Sequence, residues 1–190
     1  ACGPGAFRSR RRVTLLDNPI KRVAIVGFGV QGPRIAFRCI LAGMDVRAYD
    51  VLPSAGDAGV RSILNWLEVR VADGRLSKAQ AGAALDHLRL CSTLGEAVRD
   101  ADLILEVIPE RLDLKRQVWA EVDGLAPDRA LLTADSSSLK SSDLARDVRR
   151  KDRTFTLNFG FPVEDDAVEL MWNRHTSDRT KDAARRFLVS

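Results

Sequence analysis

The sequence predicts an α/β fold in which helices pack on both faces of a mostly parallel β-sheet. Short apolar runs typical of buried strands alternate with amphipathic helical patterns, and this alternation favours a doubly wound sheet. The clearest unit, a strand, a glycine-rich turn, a helix and a second strand, occupies residues 21–50. With 190 residues, 45% of them hydrophobic, the chain is long enough for one domain with a sizeable core. We expect a basic, flexible tail over residues 1–20 and the α/β domain over residues 21–190.

The strands are predicted from apolar runs bounded by charged residues, glycine or polar turns. In the first run, Val23–Val26, a lysine–arginine pair precedes the apolar residues and Gly27 follows them. A later run, DLILEV, reads as a fully buried strand. The predicted strands are residues 23–26, 46–49, 88–91, 102–107, 130–133, 154–157 and 167–171.

Helices are predicted where apolar residues recur every three or four positions and where capping or breaking residues mark an end. Gly74 breaks a long amphipathic pattern, and Ser77 is the expected N-cap of the next helix. We expect Pro53–Asp57 to form a loop because it is rich in turn-forming residues. The predicted helical stretches are from the glycine-rich turn to residue 43, then 60–71, 77–88, 93–99, 112–125, 142–150 and 176 onwards.

The glycine-rich turn has the spacing G-x-G-x-x-G, at Gly27, Gly29 and Gly32. In a dinucleotide-binding unit the first glycine permits the tight turn, the second lets a pyrophosphate approach the backbone, and the third lets the helix pack on the sheet. Free N–H groups around Val30 and Gln31 would then face the phosphates at the positive end of the helix dipole. An ordinary strand-to-helix turn with coincidental glycines is the alternative.

An acidic residue closes the same unit. Asp50 follows the second predicted strand, 18 residues after Gly32, where a carboxylate can accept a hydrogen bond from a ribose 2′-hydroxyl. The same carboxylate would repel a 2′-phosphate. The unit therefore predicts NAD as the cofactor rather than NADP.

Ligands of open parallel sheets bind outside the carboxyl ends of the strands. Five loops follow the predicted strands on that side, and we expect them to converge on one crevice. They are residues 27–32, 50, 108–110, 134–138 and 158–162.

Composition and charge argue against several classes of protein. No apolar run approaches the roughly 20 residues of a membrane span. The net charge is +4, part of it in four tail arginines at positions 8 and 10–12; a solvated arm is the simplest interpretation, and contact with nucleic acid or a membrane surface is the alternative. The three cysteines form no C-x-x-C pair, and the two histidines lack ligand-spaced companions. We expect no metal site, no nucleic-acid or membrane partner, and a cytoplasmic location.

Several motifs in order resemble one family. GFGVQG, DGRLS, DADLILEVIPERLDLKRQVWAEVD, LLTADSSSL and NFGFPVEDDAVELM are similar, in the same order, to motifs of the NAD-binding domain of the L-3-hydroxyacyl-CoA dehydrogenases. The resemblance covers about residues 22–177. It implies a Rossmann-type NAD-binding fold, a role in fatty acid metabolism, and hydride transfer between NAD and C3 of a 3-hydroxyacyl-CoA or 3-ketoacyl-CoA substrate.

The resemblance also assigns site residues. It places Glu110 and Lys115 beside the nicotinamide half of the cofactor, and Ser137 in a hydrogen bond to the 3-oxygen of the substrate. The alternatives are a surface charge pair for the first two residues and a helix N-cap or turn serine for the third. Four basic residues stand where the family contacts CoA, although a solvated helix face explains them equally well: Arg61, Arg70, Arg75 and Lys78.

The catalytic positions depart from the family pattern. The family uses a histidine as general base and a glutamate that orients it; Glu169 stands at the glutamate position, but Asn158 stands at that of the histidine. Phe161 and Asp135 replace two family asparagines. An amide cannot exchange a proton near neutral pH, and loss of a general base typically costs roughly 10²–10⁴-fold in rate. His175 is a weak candidate for a substitute because nothing in its spacing directs it to the site.

These observations leave three hypotheses. The first is the NAD(H)-binding domain of a 3-hydroxyacyl-CoA dehydrogenase-like oxidoreductase with weak or lost activity. The second is a non-catalytic NAD(H)-binding module. The third is a dehydrogenase for another substrate, with Asp135 or His175 handling the proton. The resemblance implies a second, helical domain in family members; we expect that domain to be absent from this chain, and we expect a homodimer only where it is present.

Overall fold

Seven strands form one sheet in the part of the chain that the structure, a computed structural model, describes, namely residues 19–160 and 168–189. In the sheet the strands lie in the order β3-β2-β1-β4-β5-β6-β7. Every neighbouring pair is parallel except β6 and β7, which are antiparallel. The strands are β1 (Arg22–Val26), β2 (Asp45–Tyr49), β3 (Leu88–Leu90), β4 (Leu103–Glu106), β5 (Leu131–Asp135), β6 (Thr154–Phe159) and β7 (Val168–Trp172).

Helices cover both faces of the sheet, as the alternating pattern predicts. One core cluster holds apolar residues of α1, α2, α3 and α7, and the cluster on the other face holds those of α4, α5 and α6. None of the described helices is both long and apolar enough to cross a membrane. The helices are α1 (Gln31–Leu41), α2 (Pro53–Ala72), α3 (Lys78–Asp86), α4 (Leu94–Val98), α5 (Leu112–Leu125), α6 (Ser141–Leu144) and α7 (Asp178–Leu188).

Local signals locate several of these ends. Ser77 caps α3 as expected, and it forms a reciprocal capping box with Gln80. The expected loop over residues 53–57 is wrong, because Pro53 is the first residue of α2, where its fixed φ suits a helix. The two buried glycines of this helix are packing sites: a Cβ on Gly59 would overlap the Phe28 ring. The helix expected over residues 142–150 is also shorter, consisting of α6 and a 3₁₀ turn to Asp147.

The antiparallel last strand decides which residues reach the ligand side of the sheet. β7 pairs with β6 so that Glu169 lies directly opposite Asn158, and Trp172 lies opposite Phe155 near the start of β6. Residues that follow Trp172 therefore lie at the amino ends of the parallel strands. The expected tail (through residue 18) and Phe161 lie outside the described residues.

A buried ion cluster ties the end of α5 to the segment before β6. Asp123 accepts hydrogen bonds from the backbone N–H of Arg149 at 2.9 Å and from Nε of Arg150 at 2.5 Å. Burial acts to raise the pKa of Asp123, but the hydrogen bonds from Arg149 and Arg150 outweigh it and hold the pKa below its usual range. Because Asp123 and Arg150 are both buried, loss of the Asp123 charge would leave the Arg150 guanidinium without a carboxylate partner.

We predict that Asp123→Asn lowers the free energy of unfolding at pH 7 by about 3 kcal/mol, because it leaves a buried guanidinium uncompensated. The depressed pKa means that the carboxylate stabilises the fold fully above its unfolded value of about 3.9 and loses that effect as the pH falls through the folded value. Urea unfolding at pH 7 and at pH 3 tests this: the difference between wild type and variant should shrink at the lower pH.

The matched control is Asp86→Asn at the exposed end of α3, which should change the free energy of unfolding by less than about 0.5 kcal/mol. Equal effects of the two substitutions, or a difference that grows in acid, would contradict the assignment of Asp123.

Candidate functional site

A cavity of about 830 Å³ opens at the carboxyl ends of the parallel strands, and its lining includes residues of all five loops predicted to converge there. These loops follow β1, β2, β4, β5 and β6. Because these strands are parallel, their carboxyl ends lie at the same edge of the sheet. The order of the strands reverses between β1 and β4, and such a reversal leaves a crevice at that edge.

The three motif glycines are needed for different reasons. Gly27 has φ +101°, and a Cβ there would lie 2.5 Å from the Val107 carbonyl oxygen, so the turn out of β1 requires glycine. A Cβ on Gly32 would overlap the carbonyl of Gly27, so the close approach of α1 to the turn requires glycine at this position too. Gly29 is exposed on the cavity and a Cβ there would touch nothing within 4 Å. The second glycine is therefore free of packing constraints and open to a ligand.

The start of α1 suits an anionic ligand. The helix begins at Gln31 next to the cavity, without a side-chain cap and without an acidic residue in its first turn, so its first N–H groups are open to an anion at the positive end of the dipole. Gln31 also has a buried side-chain oxygen with no hydrogen-bond partner among the described residues. The open N–H groups fit the pyrophosphate of a dinucleotide, whereas the Gln31 oxygen is an acceptor and does not bind an anion.

Asp50, directly after β2, hydrogen-bonds to the glycine-rich turn. Its Oδ2 accepts a hydrogen bond from the N–H of Phe28 at 2.6 Å, and its Oδ1 accepts one from the N–H of Leu52 at 2.9 Å. Each carboxylate oxygen has a second acceptor site, so these bonds orient the group and still leave it able to accept from a ribose. The exposed side chains of Val51 and Leu52 line the cavity beside it and offer an apolar surface for a base.

Lys115 is fully buried at the base of the site, so the alternative of a surface charge pair is wrong for it. Its Nζ donates to Oε1 of Glu106 at 2.8 Å and to the carbonyl oxygen of Asp135 at 3.0 Å, and lies 3.5 Å from Oε2 of Glu110. Glu106 is also fully buried and accepts a further bond from the Trp119 indole at 3.2 Å. Burial raises the pKa of Glu106, although its bonds to Lys115 act in the opposite direction.

Sequence reasoning missed Glu106. The available signal was an acidic residue inside an otherwise apolar strand, which is costly unless a partner is present. Because the partner, Lys115, lies nine positions later on α5, only the packing of that helix on the sheet reveals the pair.

The serine run after β5 is ordered around Glu110. The Oε1 atom of Glu110 accepts hydrogen bonds from the hydroxyls of Ser136 and Ser138 at 2.6 and 2.9 Å. Burial acts to raise the pKa of Glu110, but these bonds, with the charge of Lys115, hold it below its ordinary value. Ser137 and Ser138 are both exposed, but Ser137 lines the cavity and forms no bond with Glu110. Ser137 is not the N-cap of α6, a position that Lys140 occupies.

Asn158 and Glu169 form a hydrogen-bonded pair at the edge of the cavity. They face one another across β6 and β7, and Nδ2 of Asn158 donates to Oε2 of Glu169 at 2.8 Å. Asn158 lines the cavity. The pair has the geometry of an orienting carboxylate and a polar group, but the amide is only a hydrogen-bonding group and not an acid or base.

The two candidates for proton transfer are placed very differently. Asp135 ends β5 and lines the cavity, and its Oδ1 accepts the N–H of Phe159 at 3.2 Å. Burial raises the pKa of Asp135, and the charge of Glu110 adds to this effect against opposing contributions from Phe159 and Lys115. His175 follows β7 at the other end of the sheet, contacts Arg174 and does not line the cavity. No group of three or more metal-ligating side chains lies within residues 19–160 and 168–189.

We predict that Gly29→Ala weakens NADH binding at least tenfold while leaving the free energy of unfolding within about 0.5 kcal/mol of wild type. The added methyl group meets no protein atom and occupies the space through which a pyrophosphate reaches the backbone. NADH fluorescence titration and urea unfolding measure the two effects.

Two further variants separate ligand contact from packing. Gly32→Ala should cost about 1–3 kcal/mol of stability because its methyl group overlaps backbone. Gly82→Ala, on exposed α3 with open space around it, should leave binding unchanged. Normal NADH affinity in Gly29→Ala would contradict the proposed approach of the pyrophosphate.

Comparisons with known proteins identify the family of this chain. The sequence profile of the "3-hydroxyacyl-CoA dehydrogenase, NAD binding domain" matches residues 22–190. A probable 3-hydroxyacyl-CoA dehydrogenase of Caenorhabditis elegans is 33% identical over 168 residues, which are 85% of this chain and 54% of that protein. An L-carnitine dehydrogenase of Bacillus cereus is 35% identical over 174 residues, 91% of this chain and 52% of that protein.

Among solved structures, the (S)-3-hydroxybutyryl-CoA dehydrogenase of Ralstonia eutropha is similar, with a TM-score of 0.86 at 27% identity over 90% of this chain and 60% of that one. The chain thus spans about half the length of the curated relatives named above. The match to the family profile covers residues 22–190. The chain therefore belongs to the 3-hydroxyacyl-CoA dehydrogenase family, as an NAD-binding domain.

Proposed function

We propose that this chain binds NAD(H) in the cavity at the carboxyl ends of the strands and acts as the cofactor-binding part of a 3-hydroxyacyl-CoA dehydrogenase-like oxidoreductase. The observation that carries the proposal is the presence, in one cavity, of the open glycine loop, Asp50 and the polar residues Ser137 and Asn158. NAD, when bound, accepts or returns the hydride at C3 of the substrate.

The cofactor would be held at two points. Gly29 and the first N–H groups of α1 bind the pyrophosphate, and Asp50 accepts from the ribose hydroxyls. Glu110 lines the cavity beside the serine loop, and Lys115 is buried behind it. We place the nicotinamide beside this loop because Ser137 and Asn158, the groups suited to a substrate oxygen, border the same space.

The substrate side of the proposal rests on hydrogen-bond donors. The Ser137 hydroxyl and the Asn158 amide can both donate to the 3-oxygen, and Glu169 orients the amide through the 2.8 Å bond. Since Asn158 cannot take up a proton, we expect slow turnover compared with a site that has histidine at this position. The relatives act as 3-hydroxyacyl-CoA and L-carnitine dehydrogenases by name, so a 3-hydroxyacyl-CoA is the first substrate class to test and another 3-hydroxy acid derivative is the second.

We also propose a cytoplasmic site of action, with a small-molecule substrate as partner. The buried, unpaired Cys39 and Cys91 suit a reducing compartment.

The second candidate function is a non-catalytic NAD(H)-binding module. The amide at position 158 favours it, because a purely binding protein keeps the cofactor residues and needs no base. The two candidates make the same prediction for cofactor binding and differ in whether a base introduced at position 158 restores turnover.

We predict that Asp50→Asn weakens NADH binding roughly tenfold or more, since a hydrogen bond to a charged group contributes about 1.5–3 kcal/mol. Removal of the negative charge should also raise the affinity for NADPH relative to NADH. Fluorescence titration with both cofactors tests this. Asp57→Asn on the exposed face of α2 is the control, and an unchanged preference for NADH in Asp50→Asn would contradict the role of Asp50.

We predict that Asn158→His, introduced together with Asp135→Asn so that the other candidate for proton transfer is removed, raises the rate of acetoacetyl-CoA reduction by NADH by about 10²–10⁴-fold over Asp135→Asn alone, the usual effect of a general acid or base. The neighbouring Glu169 is already placed to orient the ring. The control is Asn65→His on an exposed position of α2. If the proteins with asparagine and with histidine at position 158 both bind NADH but show no turnover, the binding module is favoured. If neither protein binds NADH, both functions are rejected.

A further inference from the structure

We infer that Asp135 is the residue through which this chain exchanges a proton with the substrate oxygen. This inference rests on the proposed oxidoreductase function and deepens it. It is carried by the position of the Asp135 carboxyl group in the same cavity as Ser137 and Asn158, neither of which can act as a base near neutral pH.

The Asp135 side chain is held in place and still has one oxygen available. Its Oδ1 accepts the N–H of Phe159, and its main-chain carbonyl accepts Nζ of Lys115. Within the described ranges, Oδ2 has no hydrogen-bond partner and is not enclosed by protein. A carboxyl group with a fixed orientation and one free oxygen on a cavity is suited to accept a proton and return it.

The charges around Asp135 set its proton affinity. Lys115 on α5 is the nearest cation, but Glu106 on β4 takes its shortest contact and Glu110, on the loop after β4, lies 3.5 Å from it. One lysine therefore contacts two carboxyl groups and the main-chain carbonyl of Asp135. From the remaining elements, Glu121 on α5 lines the cavity and Glu169 on β7 holds Asn158, and both carry negative charge. Burial and Glu110 raise the pKa of Asp135, which brings it nearer to the working range of a general base.

The proton step balances as follows. In the oxidation direction, Oδ2 of Asp135 takes the proton of the 3-hydroxyl as the C3–H bond breaks and the C3=O double bond forms; NAD, held by the glycine loop and Asp50, would supply the acceptor for the hydride. Ser137 and Asn158 donate hydrogen bonds to the oxygen throughout. The protonated Asp135 then releases its proton to water. In the reduction direction the acid form is required, so the rate should fall as the pH rises through the pKa of Asp135.

The test uses the whole chain and three measurements. The ¹³C resonance of the Asp135 carboxyl, assigned by its absence in Asp135→Asn, gives the pKa directly. NADH fluorescence gives binding. Reduction of acetoacetyl-CoA by NADH, followed across pH, gives the rate.

We expect a pKa above the ordinary value of about 3.9, and a reduction rate in wild type that declines at the same pKa. Asp135→Asn should lose about 10²–10⁴-fold in rate with NADH affinity close to wild type. In Asp135→Ala, added formate should restore part of the rate, since it supplies a carboxyl group without the side chain. Asp128→Asn, an exposed residue before the same strand, should behave as wild type.

Four results would overturn the inference. They are an Asp135 pKa at or below the ordinary value, a pH profile that does not follow it, equal rates in wild type and Asp135→Asn, and NADH binding by wild type with no detectable reduction. The last result leaves the NAD-binding module standing. Failure of wild type to bind NADH would overturn the proposed function as well, so the two failures are distinguishable.

Discussion

The buried ion pair between Lys115 and Glu106 is the interaction on which the rest of the site depends. Both side chains are inaccessible to solvent, so neither charge is tolerable without the other. The pair fixes α5 against β4, and the same ammonium group holds the carbonyl of Asp135 at the end of β5. One side chain therefore sets the relative position of two neighbouring strand ends, which form the floor of the cofactor cavity.

The effect of this pair extends to the serine loop through Glu110. Its carboxylate lies between Lys115 on one side and the hydroxyls of Ser136 and Ser138 on the other. With both of these serines engaged, Ser137 between them turns outward to the cavity. The three serines look equivalent in sequence, but the carboxylate gives the first and third a structural task and leaves the second free for a ligand.

The fold and the cofactor half of the site follow closely from the sequence because their signals are local. The spacing of Gly27, Gly29 and Gly32, the acidic residue at the end of the next strand and the alternation of strands with helices each reflect contacts within about 30 residues of chain. The missed features depend on distant contacts. The α2 helix that begins at Pro53 packs through Gly56 on Leu90 and through Gly59 on Phe28, and Glu106 finds its partner only once α5 lies on the sheet. The alternative of a surface charge pair fails for Lys115 for the same reason.

The direction of the last strand decides which residue is available for proton transfer. A parallel β7 would bring the segment after Trp172, with His175, to the ligand side of the sheet. The antiparallel pairing instead brings Glu169 beside Asn158 and sends His175 to the opposite end. Of the two residues that the sequence offers as substitutes for the missing histidine, topology thus removes one. Asp135 remains on the cavity because β5 is parallel to its neighbours and ends where the ligand side begins. Substitutions that change the reaction in this site are therefore expected at the carboxyl ends of the central strands. A side chain replaced there alters the chemistry of the cavity and leaves the sheet that positions the side chain unchanged.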